Sequence, residues 1–181
     1  HVTNARITMS GGTLTQMTDH PDGEIYSPVR GGGFAANGGK AIVDNAEINI
    51  EGGVFADAGG DFDIMGGGAS DGGYSLTKKA TINISNVVLD RNVSIYGGGD
   101  NADVNDAMIN INSGTFSKIS IYGGGDGYGG TAKTGNSKIN ITGGNFNEYV
   151  QITGGGYSYI SSQAPTNTTN VSISGGNFNS G

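Results

Sequence analysis

The chain has 181 residues, of which 36 are glycine and none is cysteine, and its formal net charge is −7. The lack of cysteine excludes a disulfide framework and a thiolate metal site. The acidic charge disfavours nucleic acid and anionic membrane surfaces as partners. Apolar runs are as short as Val87 to Leu89, whereas a membrane span needs roughly 20 residues, so we expect no span in this segment.

Such a glycine content is typical of disordered chains, but this sequence carries regularly spaced Ile, Val and Phe residues that a disordered tract lacks. One ten-residue motif, A-M-I-N-I-N-S-G-T-F at Ala107–Phe116, occurs in six gapless versions. They span residues 5–14, 46–55, 80–89, 107–116, 137–146 and 169–178. The sequence is therefore a repeat array.

A second, shorter motif ends in three glycines. It reads I-S-I-Y-G-G-G at residues 119–125 and recurs at residues 62–68, 93–99 and 150–156. A degenerate version leads through Tyr26 and Val29 to Gly33. Successive copies of the first motif begin 41, 34, 27, 30 and 32 residues apart, which predicts fixed strands joined by connections of variable length.

Apolar and polar residues alternate within each motif, and a period of two predicts β-strands. In the first motif the inward positions form a small column and two aliphatic columns headed by Ala5, Ile7 and Met9. The outward positions predict a polar ladder of Thr8, Asn49, Asn83, Asn110, Asn140 and Ser172.

The Phe or Leu that closes the first motif has the wrong parity for an uninterrupted strand. The chain must therefore bend between the second aliphatic residue and this Phe or Leu, and glycine tolerates the positive φ that a bend requires. The bend predicts an inward column of Leu14, Phe55, Leu89, Phe116, Phe146 and Phe178. The triple glycine after the second motif predicts either a sharp turn or a close approach of backbones between repeats.

Repeats of this kind pair in parallel with their counterparts above and below, and parallel connections are right-handed. We therefore predict an all-β fold, a right-handed parallel β-helix (β-solenoid) of about six irregular coils. At ~4.8 Å per coil the rod section would be roughly 30 Å long. Residues 1–181 are expected to form a single segment excerpted from a longer repeat array.

The motifs I-N-I-x-G-G-x-F and I-Y-G-G-G resemble those of bacterial surface and secreted parallel β-helix proteins, such as adhesins and autotransporter passengers. The resemblance covers nearly the whole chain. It implies an extracellular or cell-surface location and a non-enzymatic structural or adhesive rod. Two alternatives stay open: a carbohydrate-active enzyme, either a polysaccharide lyase or a glycosidase, and a self-assembling extracellular filament subunit.

Any catalytic hypothesis has to rest on carboxylates, since the chain has no cysteine and only two histidines. Glu47, Glu51, Asp61 and Asp63 are predicted to point outward in the second repeat, at separations near those of inverting glycosidases. The simpler interpretation is a set of solvated charges, with Arg6 pairing weakly with Glu47. We therefore expect no enzyme and assign no catalytic residue.

Calcium is a second hypothesis, because Asp100 and Asp126 follow equivalent glycine triplets one repeat apart, and Asp103 and Asp106 lie close to Asp100. Stacked carboxylates repel unless a cation or water intervenes. No spacing matches a known calcium loop, so solvated aspartates are the preferred interpretation, and no metal or cofactor is assigned.

Binding is expected to reside in the connections that vary, namely Thr15 to Arg30, Ala69 to Lys79 and Gly127 to Asn136. A glycan or a host or cell-surface protein is the expected partner, besides neighbouring coils of the same chain. The Asn ladder is interpreted as structural. Tyr96 and Tyr122, in one column with Met65 and Thr153, are expected to be partly buried.

Overall fold

The computed structural model describes residues 1–14, 29–56, 62–159 and 161–179. Within these ranges the regular structure is entirely β-strand, and there is no helix that could cross a membrane. The strands are numbered β1 to β18 in chain order, and every pair of neighbouring strands with an established register is parallel. The predicted all-β class with parallel pairing is confirmed.

The first sheet contains the first strand of each repeat, in the order of the chain. Its six strands are β1 (Val2–Met9), β5 (Lys40–Ile50), β9 (Tyr74–Ile84), β11 (Asp103–Ile111), β14 (Thr134–Ile141) and β17 (Thr166–Ile173). Each pairs with the next so that equivalent motif positions face each other; Ile82, for example, lies between Ile48 and Ile109. The six sequence copies were therefore aligned correctly.

The second sheet carries both the Phe or Leu that closes the first motif and the whole second motif. Its strands are β2 (Thr13–Leu14), β3 (Val29–Arg30), β6 (Gly53–Ala56), β7 (Phe62–Met65), β10 (Val87–Tyr96), β12 (Gly114–Tyr122), β15 (Asn145–Thr153) and β18 (Asn177–Phe178). Pairing shifts register between Leu89 and Asn92 and between Phe116 and Lys118. These irregularities absorb the different distances between the two motifs.

A third set of short strands follows the glycine triplets and was not predicted. It consists of β4 (Phe34–Ala36), β8 (Ala69–Asp71), β13 (Asp126–Tyr128) and β16 (Tyr157–Tyr159). β4 pairs with β8 and β13 with β16, and Asp100 bridges Ala69 to Asp126 between the two pairs. The triplets thus lead into a third row of parallel pairing.

One of the expected variable loops is therefore mostly strand, and a second is half strand. The region from Ala69 to Lys79 lies in β8 and β9 apart from Gly72 and Gly73, and the region from Gly127 to Asn136 overlaps β13 and β14. The third region ends in β3, but Thr15 to Pro28 lie outside the described residues. The first motif covers only part of the strand that contains it, since β5 and β9 each begin six residues before the motif does.

The core lies between the first and second sheets, whose inward side chains form one cluster. The predicted columns are confirmed: Ile48, Ile82, Ile109 and Ile139 are each 0% exposed. Aromatic rings stack along the closing column, with centroids 4.8 Å apart for Phe116 and Phe146 and 4.5 Å apart for Phe146 and Phe178. Contacts between successive repeats therefore contribute to the burial of this column.

The predicted bend is present, and it uses the second residue of the glycine pair. Gly12, Gly53, Gly114, Gly144 and Gly176 all have positive φ, between 94° and 143°. The third repeat has Val87 at this position, and there the preceding Asn86 adopts a φ of 54° instead. Asparagine tolerates the left-handed region far better than valine does, so the bend moves by one residue.

The glycine triplets serve a close approach of backbones, because none of their residues has a φ in the left-handed region. A Cβ built on Gly98 would lie 2.5 Å from the Gly125 nitrogen and 2.7 Å from the Thr134 Oγ1. A Cβ built on Gly66 would lie 2.6 Å from the Gly97 oxygen and 3.0 Å from the Ala80 Cβ. The small inward residues of the first strand therefore face the triplets, where there is no room for larger ones.

A column of Val and Thr faces the middle glycines of the triplets. Its members pair in register along the first sheet as Val43, Thr77, Val104, Thr134 and Thr166. Among the described residues the three threonine Oγ1 atoms are buried and accept or donate no hydrogen bond. Their methyl groups and size, rather than their hydroxyl groups, fit them to this column.

We expect Gly98→Ala to lower the free energy of unfolding by about 1–3 kcal/mol or more, because its Cβ would meet backbone atoms that cannot rotate away. Gly155→Ala is the matched control. It is the middle glycine of the last triplet, and its built Cβ has only the Thr166 Oγ1 nearby, at 3.9 Å. Urea unfolding followed by circular dichroism compares the two variants.

The control should be unchanged or stabilised by up to about 1 kcal/mol, since alanine has fewer unfolded conformations than glycine. Equal losses in both variants would show that the triplets are required for backbone conformation and not for close approach.

Candidate functional site

The candidate site is a groove beside the third row of strands, which we call the acidic groove. It encloses about 360 Å³ and is lined chiefly by Arg30, Phe34, Asp71, Asp100, Asp126 and Tyr128. It lies on the side of the chain where residues change from repeat to repeat, unlike the conserved pattern of the core columns. Variation at these positions makes the groove the best candidate for a specific contact.

The glycine triplets position the two central carboxyl groups. Asp100 and Asp126 each follow a triplet directly, and they form a parallel bridge with each other. The Asp126 nitrogen donates to the Gly99 oxygen and the Asn101 nitrogen donates to the Asp126 oxygen, each at 2.8 Å. The predicted equivalence of these two aspartates, one repeat apart, is confirmed.

Arg30 neutralises one of the two stacked carboxyl groups. Its Nη2 lies 3.0 Å from Oδ2 of Asp100, and both side chains are more than two-thirds buried. Burial raises the pKa of Asp100, and the Arg30 charge opposes this effect. Asp100 is thus a paired and largely desolvated group, not the solvated loop aspartate that the sequence suggested.

Asp126 carries the most perturbed carboxyl group of the groove. Burial raises its pKa to about 7, and the nearby charges of Asp100 and Asp63 add to the effect. Its Oδ1 is buried and has no hydrogen-bond partner among the described residues. Asp126, like Asp100, is therefore not the solvated aspartate that the sequence suggested.

Aromatic side chains surround these carboxyl groups on two levels. Tyr96 and Tyr122 are stacked at 5.0 Å and buried, with Met65 beside them, as predicted for this column. Burial raises the pKa of both tyrosine hydroxyl groups. On the outer level, Phe34 and Tyr128 are 64% and 59% exposed at the groove.

Together these features give an amphipathic groove with apolar ring faces and acceptor oxygens. Exposed aromatic faces and carboxylates can contact the C–H face and the hydroxyl groups of a sugar ring. A carboxylic acid that keeps its proton near pH 7 can also act as a general acid. The groove is therefore chemically suited to a neutral carbohydrate.

The carboxyl groups that the sequence singled out for catalysis lie, where the structure describes them, on two different sheets. Glu47 accepts hydrogen bonds from Nε and Nη2 of Arg6 at 2.9 and 2.6 Å. Asn49 donates to its other oxygen, and this bond, followed by the bonds from Arg6, lowers the pKa of Glu47. The predicted pairing of Arg6 with Glu47 is confirmed.

The other candidates differ in their surroundings. Glu51 is exposed just after the end of β5, and Asp61 lies outside the described residues. Asp63 is only 7% exposed, so the expectation of a solvated outward charge was wrong. It alternates with the inward Phe62 and Ile64, and its charge is close enough to raise the pKa of Asp126 and Tyr96.

Two of the four residues considered for calcium lie on a different element from Asp100 and Asp126. Asp103 and Asp106 lie in β11 of the first sheet and not in the connection beside Asp100. In the part of the chain that the structure describes, no three side chains among His, Cys, Asp and Glu are grouped as metal ligands. The calcium hypothesis therefore has no ligand set in these ranges.

The Asn ladder is satisfied internally. Asn83 donates to Asn49 at 2.8 Å, Asn110 to Asn83 at 2.7 Å and Asn140 to Asn110 at 2.8 Å. Asn83 and Asn110 thus each use a donor and an acceptor on the neighbouring repeats, whereas Asn49 donates to Glu47 of its own repeat. The structural interpretation of this column is confirmed.

Arg30, Phe34 and Tyr128 were missed as individual site residues. Each lies within or next to a triplet connection, and Phe34 and Tyr128 follow triplets by one and three residues. The signal for Phe34 and Tyr128 was their position after a glycine triplet, the same signal that identified Asp100 and Asp126, whereas Arg30 directly precedes a triplet. Comparison with protein-family models, with curated proteins and with solved structures finds no match to this chain.

The stability of the fold should fall as the pH rises from about 4 to about 7. Asp126 binds a proton in the folded chain up to about pH 7, whereas its ordinary pKa is 3.8, so the folded state binds more protons across this window. Asp126→Asn should reduce this slope and raise stability at pH 8. Thermal unfolding at several pH values measures both effects.

Asp90→Asn is the control, because Asp90 is an exposed carboxyl group that accepts a hydrogen bond from Ser117. It should leave the slope between pH 4 and 7 close to that of the unchanged chain. A slope that Asp126→Asn does not alter would contradict the assignment of a retained proton to Asp126.

Proposed function

We propose that the chain is a right-handed parallel β-helix of about six irregular coils that serves as a non-enzymatic rod in a bacterial surface or secreted protein. The observation that supports it best is the unbroken register of the first sheet. Six strands from six sequence repeats pair in parallel with equivalent residues opposite one another. Parallel strands linked by connections through a second sheet form a right-handed path.

The allocation of side chains also supports a structural role. The inward residues are used for packing between repeats, and the outward Asn column is used for hydrogen bonds between repeats. Two faces of the repeat therefore serve its own stacking. Such a unit extends by adding coils, which suits a spacer or stalk.

The acidic groove supplies the adhesive part of the proposal. Its exposed Phe34 and Tyr128 rings and its carboxyl oxygens favour a neutral glycan as the contact. Tyr128 also stacks on Tyr159 at 5.7 Å, which continues the aromatic surface to the next repeat. An extended ligand running along the rod axis would meet aromatic faces on successive repeats.

A carbohydrate-active enzyme is the second candidate, and Asp126 is the observation that favours it. Its pKa of about 7 and its neighbour Asp100 resemble the pairing of a protonated acid with a second carboxyl group. Asp100 is tied to Arg30, however, which makes it a weaker base or nucleophile. The rod therefore remains the leading proposal.

Deleting residues 107–136 removes one complete repeat and tests the β-helix. Asp106 occupies the register position that Asn136 holds before Ser137, so joining Asp106 to Ser137 keeps every column aligned. We expect a folded protein with a cooperative thermal transition at a lower temperature. Deleting residues 107–121 is the control, since it breaks the alternation of the two sheets and should abolish cooperative unfolding. Equal tolerance of both deletions would contradict a stacked-coil architecture.

Incubation with a panel of neutral polysaccharides separates the two candidate functions. The rod proposal predicts retention of a glycan without release of reducing ends or unsaturated products, and a loss of retention in Phe34→Ala/Tyr128→Ala. Tyr149→Ala is the control, because Tyr149 is an exposed tyrosine at 52% on the second sheet. Product release that disappears in Asp126→Asn would favour the enzyme. Neither retention nor products would contradict both roles for the groove.

A further inference from the structure

One connection between the second and first sheets is shorter than the connections on either side of it. Val104 pairs with Thr77 of the preceding repeat and with Thr134 of the following repeat, so these three residues mark equivalent points. Between the preceding glycine triplet and these points, the connections are residues 69–76, 100–103 and 126–133. The middle connection therefore has four residues, where each neighbour has eight.

The short connection supplies a single residue to the third row. Asp100 bridges Ala69 and Asp126, whereas β8 and β13 are each three residues long. Asn101 then adopts a φ of 48°, and the chain enters β11 two residues later. Beyond Asp100, one strand position is thus missing between β8 and β13. The two strands are separated there by roughly 9–10 Å, twice the usual strand spacing.

The short connection is also recessed. None of residues 100–103 is exposed, and Ala102 is only 2% exposed. The connections on either side include the exposed residues Asp71 and Gly72 on one side and Tyr128 and Gly129 on the other. These two connections therefore project as the walls of a cleft, and residues 100–103 form its floor.

The cleft opens on both sides of the third row. On one side it is the acidic groove, which reaches the second sheet at Arg30. On the other side lies an opening of about 450 Å³, which we call the polar groove and which reaches the first sheet at Tyr74 and Asp103. Ser70 and Asn101 line both grooves. The two grooves therefore meet over the short connection.

The polar groove offers an aromatic ring and hydrogen-bonding groups without a dominant charge. Tyr74 is 41% exposed there, and Nζ of Lys40 lies 5.6 Å from the centre of its ring. Lys133 and Gln163 are exposed on the opposite wall, and the carboxyl group of Asp103 offsets the Lys133 charge. Ring faces, amides and such charged groups form the contacts that sugar C–H faces and hydroxyl groups require.

Asn101 favours a glycan over an added peptide strand in this cleft. The backbone groups of Asp126 bond to Gly99 and Asn101, and since these groups alternate sides along a strand, those of Tyr128 also face the missing strand. Nδ2 of Asn101 already donates to the Tyr128 oxygen at 2.7 Å. A peptide strand would need that oxygen for its own main-chain pairing.

We propose that the two grooves form one binding cleft, in which a neutral glycan chain passes over Asn101 from Tyr128 to Tyr74. The proposal rests on the proposed glycan-binding role of the acidic groove and extends that site to the polar groove. The glycan crosses the third row instead of following the rod axis. The short connection fixes the place of binding, because it leaves a strand position open between β8 and β13.

Closing the cleft tests the proposal directly. Inserting Gly-Tyr-Gly-Gly between Asp100 and Asn101 copies residues 127–130 and gives the short connection the length of its neighbours. The variant should fold, because the added residues supply the missing strand, and its affinity for the glycan should fall more than about tenfold. Asn101→Gly is the matched control. It keeps the length and the positive φ of the connection, so the affinity should change less than about threefold.

Tyr74→Ala tests the polar groove without changing the length of the backbone. Loss of the exposed ring should lower the affinity about three- to tenfold. Tyr149→Ala, which removes a tyrosine exposed on the second sheet, should leave the affinity unchanged. The probes are soluble glucan, mannan, xylan and galactan. Affinity electrophoresis measures binding, and circular dichroism verifies that each variant is folded.

The proposal requires losses in both the insertion variant and Tyr74→Ala. If both bind like the unchanged chain while Phe34→Ala/Tyr128→Ala does not bind, the glycan is confined to the acidic groove. The crossing is then wrong, and the proposed function stands. If the unchanged chain binds none of the four polysaccharides, both are contradicted. Should the insertion variant not fold, Gln163→Ala on the opposite wall replaces it, and unchanged binding by this variant would overturn the crossing.

Discussion

The structure depends on how closely the backbones of successive repeats approach one another at the glycine triplets. There the Gly98 nitrogen donates to the Gly124 oxygen and the Gly67 nitrogen to the Gly98 oxygen, at 3.0 and 2.9 Å. A Cβ on Gly98 would lie 2.5 Å from the Gly125 nitrogen, and a Cβ on Gly67 would lie 2.7 Å from the Gly99 nitrogen. Small residues such as Ala80 and Ala107 must therefore face the triplets, while Ile and Phe fill the wider part of the core. The close backbone approach at the triplets therefore limits residue size on this side of every repeat.

The close approach at the triplets separates residue positions that packing constrains from positions whose residue type can vary between repeats. Core positions are constrained by the repeats above and below, so the same residue types recur along each column. The chain leaves this closely packed region immediately after each triplet, and there the outward residues contact the short third row and, through the Arg30 and Asp100 pair, the second sheet. Phe34, Ala69, Asp100, Asp126 and Tyr157 occupy equivalent positions in that row. A specific surface can be built there without disturbing the stack.

Alternation and spacing were sufficient to predict the parallel pairing, the inward columns and the bend, because those features depend on parity within a few neighbouring residues. The short third row was missed because three-residue strands such as β13 show no period. The burial of Asp63 and Arg91 was missed for a different reason. Parity tells which face a side chain occupies, whereas burial depends on what covers that face. Arg91 is 4% exposed and lies over the Phe62 ring, 29 positions earlier. The Arg30 and Asp100 pair joins residues 70 positions apart, which no local pattern reveals.

The column of Val43, Thr77, Val104, Thr134 and Thr166 accepts residues with and without a hydroxyl group. Valine and threonine have nearly the same shape, and within the described residues the three buried hydroxyl oxygens have no hydrogen-bond partner in the chain. Such a group typically costs about 1–3 kcal/mol. Unfolded chains keep these hydroxyl groups hydrated, so the threonines weaken the driving force for packing the first strands against the glycine triplets. The same residues make the exposed chain less apolar before it folds, and thereby lower its tendency to aggregate.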